Sequence, residues 1–173
     1  MAAIYTTIYP KAKFEPLLDH SAPGTLEQRN MVVLHVTAGP SARSAINTFH
    51  ASKKPNRVSV HFVVDQDGTV YQLCPLEDTT WHASACNSRS VGIEHAAIPG
   101  NPKYAVTEAQ YAASSALVAW LCQTLKIPCD RQHVLGHNEA SPHDGHTGCC
   151  APTLNPDRVV MMAAQVAALP VQP

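Results

Sequence analysis

Four short apolar runs constrain this chain more than any other feature: MVVLHV (31–36), VSVHFVVD (58–65), SVGIEHAAI (90–98) and HVLGH (133–137). Each is too short for a stable helix, and Val and Ile dominate them, so each is read as a strand. Between and after them lie helix-patterned segments, RSAINTFHASK (43–53), VTEAQYAASSALVAWLCQTLKI (106–127) and NPDRVVMMAAQVAAL (155–169). The middle one is the clearest. Thr107 and Gln110 make a capping-box pair, and Tyr111, Ser114, Val118, Leu121, Cys122 and Leu125 recur at helical spacing until Pro128 stops the run. The last helix starts at Asn155 or Asp157. Strands interleaved with helices predict an α/β class.

The sheet is expected to be mixed. Val58, Val60, Phe62 and Val64 alternate with Ser59, His61 and Val63, the turn DQDG follows, and TVYQL (69–73) returns as the hairpin partner. The expected architecture is a single three-layer domain, with a mixed central β-sheet flanked by helices. Residues 1–30 are broken by prolines and are read as an extended arm, 31–168 as the functional domain and 169–173 as a tail.

Size and charge narrow the function classes. At 173 residues the chain can bury a core without staples. A net charge of −1 argues against nucleic acid, which requires a basic surface. No apolar run approaches bilayer length, so membrane insertion is not expected, and a monomer is the default. MAAIYTTIYPKAKFEP lacks the basic-then-apolar layout of a signal peptide, and Pro10 and Pro16 would interrupt one. Synthesis in a cytosol is therefore expected. Six cysteines without a paired CxxC set make neither a disulfide scaffold nor a closed four-cysteine zinc site.

Chemistry concentrates in HNEASPHDGHTGCCAP (137–152). His35 closes VVLH as His137 closes HVLGH, so both imidazoles stand where the polar edge of a sheet begins. With one sulfur from Cys149 or Cys150 they would supply a His₂Cys set, the three protein ligands that a catalytic zinc needs beside one open position.

The blocks VVLHVTAG, VSVHFVVDQDGTVYQL, TTWHASAC, SVGIEHA and VLGHNEASP…HTGCCAP stand in an order that resembles the type 2 N-acetylmuramoyl-L-alanine amidases. That family embraces AmpD-like and phage lysozyme-type amidases and the peptidoglycan recognition proteins. The resemblance covers roughly residues 30–160 and implies one zinc ion in a groove beside the sheet, with peptidoglycan or muropeptides as the partner. It makes His35 and His137 zinc ligands. The family's third ligand is an Asp or Cys usually followed by Pro-Gly; here the stretch reads HTGCCAP, which favours Cys149, then Cys150, with Asp144 too early. Glu94 matches the general base of the AmpD-like branch. His146 and Thr147 match groups that steady a developing oxyanion. Trp81 and His82 correspond to groove-lining positions, and His61 is assigned to the substrate groove or its support. Val60 replaces a tyrosine found in many relatives, which places more weight on Glu94.

The resemblance thus implies a zinc amidase cutting between N-acetylmuramic acid and L-alanine. It acts on the cell wall after lysis or dedicated export, as an endolysin or antibacterial effector would, or on cytoplasmic muropeptides. A non-catalytic peptidoglycan-binding module is the alternative, and a cysteine hydrolase using Cys149 and His146 a further one. The third metal ligand separates the first two.

Overall fold

The computed structural model describes residues 7–145 and 148–169. Six strands form one sheet: β1 (Lys13–Phe14), β2 (Met31–Val36), β3 (Phe62–Val64), β4 (Val70–Gln72), β5 (Ser90–His95) and β6 (Val134–Gly136). Their order is β1-β4-β3-β5-β2-β6, and only the β3–β4 hairpin is antiparallel. The sheet is mixed, as expected. Helices α1 (Ala42–Ala51), α2 (Glu108–Leu125), α3 (His137–Ala140) and α4 (Pro156–Ala167) complete it.

The period of two along each strand decides which layer a side chain joins. Val32 and Leu34 of β2, with Val91 and Ile93 of β5, pack under α2 and α4. Met31 and Val33 face the other way, against Ala83 and Cys86. On that same side Val60 and Val63 pack against Ala42, Ile46 and Phe49 of α1. The α2 start carries the Thr107–Gln110 capping box in full, and Asn155 caps α4. Cys122 is buried in the core as a small hydrophobe, and all six cysteines are free thiols.

One strand differs from expectation. Only Phe62–Val64 is extended in the sheet, so the alternation over 58–64 does not hold. Phe62 and Val64 lie under α2 and α4, Val60 lies on the α1 side and Val58 is 42% exposed. His61 is the reason. Its Nδ1 accepts from the Gly92 N–H of β5 (3.1 Å), and its Nε2 lies 2.9 Å from the Asp78 carbonyl. A ring thus takes this β5 amide, and regular pairing with β5 begins only at Phe62.

The described part of the arm, from residue 7, is stitched to the domain. β1 pairs with β4, the Tyr9 ring packs at a tilt against Trp120 with centroids 5.0 Å apart, and Ala22 bridges to Thr79. Residues 1–6 of the arm and 170–173 of the tail lie outside the described residues. No described helix is long and apolar enough to cross a membrane.

Candidate active site

Parallel pairing sets His35 of β2 directly beside Glu94 of β5. Both point away from α2 and α4, because their neighbours Leu34 and Ile93 point toward them. His95, one residue on, faces α2 instead, between the His35 carbonyl and Ser114 Oγ at 2.9 Å each. Burial depresses its pKa to about 4.

His137 opens α3 where β6 ends, and its ring centroid lies 4.6 Å from that of His35. The loop after α3 returns Cys149 to the same place: its carbonyl accepts from Asn138 N–H (2.7 Å) and its sulfur from Val36 N–H (3.5 Å). Ligand atoms of His35, His137 and Cys149 all fall within 4.8 Å of one another. Cys149 Sγ and His35 Nδ1 are 3.9 Å apart. Tetrahedral zinc, with bonds of roughly 2.3 Å to sulfur and 2.0–2.1 Å to nitrogen, spaces such atoms by about 3.5 Å. Two imidazoles and a thiol at this spacing fit a soft divalent ion with a position left open. Cys150 turns the other way: it is fully buried and packs in the core beneath α4.

Burial governs the electrostatics. The Glu94 carboxyl is pushed up to about 8 by desolvation, and its Oε2 is buried with no hydrogen-bond partner among the described residues. Burial, then the neighbouring Glu94 charge, push the Cys149 thiol up to about 11. A cysteine nucleophile has the opposite need, a lowered thiol pKa. Asp144, weighed as a third ligand, instead meets His137, with Oδ2 3.2 Å from Nε2.

These groups floor a groove of about 550 Å³ whose wall includes Trp81 and His82. The Arg57 guanidinium lies 6.0 Å over the Trp81 ring, and a second hollow of about 600 Å³ continues past Lys54, Pro55 and Arg57. Trp81 is therefore groove wall, not core. His82 is half-buried, and burial, then the charges of His61 and His137, hold its pKa well below the usual imidazole range. Of the two places expected for His61, the groove or its support, the structure gives the support. His61 has no exposure and lines no part of the groove, because Gly92, Asp78 and Thr80 hold its ring behind His82, with 6.1 Å between the two ring centroids. His146 and Thr147 lie outside the described residues. Ser90 and Asn87, both bonded to His82, had no sequence signal, being ordinary polar residues at a strand start and in a short turn.

A mixed sheet with two histidines near strand ends, a loop cysteine and a glutamate in one groove defines the class: an α/β domain with a candidate metal site. The profile of the N-acetylmuramoyl-L-alanine amidase family matches residues 26–152, and the chain belongs to that family. Among curated relatives, the 1,6-anhydro-N-acetylmuramyl-L-alanine amidase AmpD of Escherichia coli (strain K12) is 31% identical over 94 residues, 50% of this chain and 49% of that one. The N-acetylmuramoyl-L-alanine amidase CwlH of Bacillus subtilis (strain 168) is 35% identical over 92 residues, 49% of this chain and 36% of that one. The matched region thus spans about half or less of these relatives. In fold, the chain superposes on a crystal structure of an AmpD derivative (TM-score 0.68, 23% identity, 90% of this chain and 96% of that one). It does so equally on the amidase LysC from Clostridium intestinale (TM-score 0.70, 21% identity, 91% and 98%).

Proposed function

We propose that this protein is a zinc-dependent peptidoglycan amidase that hydrolyses the bond between N-acetylmuramic acid and the L-alanine of the stem peptide. The observation that carries the reading is the convergence of His35, His137 and Cys149 beside Glu94 on the floor of one groove. These three side chains would hold the ion. Bound there, zinc supplies a Lewis acid for the scissile carbonyl and lowers the pKa of water to about 7.

The chain's own groups do the rest. Glu94 takes the proton from the attacking water and returns it to the departing amine of L-alanine. Burial raises the carboxyl of metal-free Glu94 to about 8, the direction that lets it hold a proton and return it. Trp81 offers a flat indole face to the sugar or stem. His146 and Thr147 are assigned to the oxyanion, and residues 31–168 to the catalytic unit, with 1–30 and 169–173 outside it. The substrate is reached in the cell wall after lysis or dedicated export, or as cytoplasmic muropeptides.

The test is mass spectrometry of purified peptidoglycan digested by the protein, with a chelated sample alongside. Free stem peptides beginning with L-Ala, absent after chelation, are expected. Intact peptidoglycan from folded, zinc-loaded protein would make it a binding module instead. Glu94→Gln is expected to keep zinc and to lower kcat by roughly 10²–10⁴, the scale of general acid–base catalysis.

A further inference from the structure

His82 stands in the groove wall, yet both of its ring nitrogens are engaged with the protein. Nδ1 lies 2.9 Å from His35 Nε2, and Nε2 lies 3.2 Å from Ser90 Oγ. Ser90 Oγ in turn donates to the Cys86 carbonyl at 2.7 Å. We propose that His82 and Ser90 are positioning residues which, through a one-way hydrogen-bond chain, fix the tautomer of His35 that presents Nδ1 to the metal centre.

The direction of every bond follows from chemistry. A carbonyl only accepts, so the single Ser90 proton goes to Cys86. Ser90 Oγ must then accept from His82, which makes His82 the Nε2–H tautomer. Its Nδ1 carries a lone pair and accepts, so His35 donates from Nε2–H. A singly protonated His35 with its proton on Nε2 has its lone pair on Nδ1, the nitrogen that faces Cys149 Sγ. The metal end imposes the same order. A ligand bound through Nδ1 needs an acceptor for Nε2–H, and His82 Nδ1 is the one at hydrogen-bond distance. Ligating histidines commonly use a carboxylate or carbonyl for this task; here a second imidazole relays the bond to a backbone carbonyl.

The ring of His82 is also built into place. Asn87 Oδ1 accepts from His82 N–H (3.0 Å) and Ala83 N–H (2.7 Å), pinning the turn. Position 92 is glycine on the strand beneath it, where a Cβ would sit 2.8 Å from His82 Cγ and Nδ1. Gly92 thus lets the ring approach β5 closely, between His35 and Ser90. His82 lines the groove, as expected for substrate contact, and on this proposal also orients His35.

The inference rests on the zinc reading above, and the experiment separates the two. Long-range ¹H–¹⁵N NMR of the metal-free protein reads the tautomers directly: Nε2–H is expected for both His35 and His82, and Nδ1–H at His82 would overturn the chain. Zinc affinity is then measured by chelator competition. His82→Phe removes the acceptor and is expected to weaken zinc by 10–100-fold. His82→Asn, which keeps an acceptor at the Nδ1 position, is expected to recover most of that loss. Ser90→Ala should weaken zinc severalfold, and Ser90→Thr should not; this pair decides the matter if His82→Phe fails to fold. Wild-type affinity in both His82→Phe and Ser90→Ala would overturn the proposal. Wild-type protein that binds no zinc would overturn the metal reading and this proposal together. Zinc binding that depends on His82, in a protein that leaves peptidoglycan intact, would sustain the relay and reject the amidase.

Discussion

Glu94 combines two properties that seldom coexist at a protein surface: it lines an open groove, yet one carboxyl oxygen is buried with no hydrogen-bond partner among the described residues. A carboxyl raised to about 8 in the fold, against 4.5 ordinarily, makes stability depend on pH. Between those values the unfolded chain has lost its proton while the folded chain keeps it. Stability contributed by this group therefore falls as pH rises, by up to roughly 1.4 kcal/mol per unit. Metal-free Glu94→Gln should gain on the wild type in thermal melts from pH 5 to pH 8, and a constant difference between them would refute the assignment. The two adjacent cysteines should separate just as cleanly. Cys149→Ala is expected to lower zinc affinity more than 100-fold with little change in metal-free stability. Cys150→Ala should leave zinc affinity intact and cost about 1–2 kcal/mol, since its sulfur fills core. Chelator competition and urea melts on the same samples check both.

Strand β5 carries the division of labour at the level of elements. Its odd positions, Val91, Ile93 and His95, are spent on the core under α2, and its even positions, Ser90, Gly92 and Glu94, on the site. Gly92 is the narrowest point. A Cβ there would approach Val60 Cγ2 as well as His82 to 2.8 Å, so two packed side chains would have to give way. Gly92→Ala is expected to cost roughly 1–3 kcal/mol, as overpacking does, and to lower zinc affinity by displacing His82. A crystal structure of the variant with His82 unmoved would contradict this. The turn before β5 has a matching role, since Asn87 binds the His82 backbone from one residue type that no periodicity would single out.

Across the whole molecule, the described part of the arm adds a strand at the sheet's far edge and bonds to residues between 76 and 88. Arg29, 2% exposed, gathers this region by donating to the carbonyls of Leu76, Glu77 and Ser88 and to Thr79 Oγ1. Burial lowers its pKa, with Asp78 and Glu77 opposing that effect. Truncation would leave several buried carbonyls without a donor, so Arg29→Ala is expected to destabilise the protein by roughly 3–5 kcal/mol. Urea denaturation measures it, and a loss below 1 kcal/mol would show that water replaces the guanidinium. The turn holding Trp81 and His82 follows directly, so activity should fall with stability in that variant.

Local pattern sufficed for much of this. Most of the apolar runs bounded by Gly and Pro became strands, Thr107 and Gln110 marked the start of α2, and the histidines closing VVLH and HVLGH marked where ligands could gather, because those signals lie within a few residues of one another. The choices left to tertiary structure are those that depend on residues far apart in the chain. Cys149 and Cys150 are indistinguishable neighbours in sequence; the Val36 N–H and the packing beneath α4 turn one to the groove and the other to the core. His61 and His82 carry the same side chain, but Gly92 N–H captures one ring while the open space above Gly92 admits the other. A hydrogen bond across sixty or a hundred residues leaves no trace in local periodicity, so only the folded sheet could decide which imidazole stands beside His35.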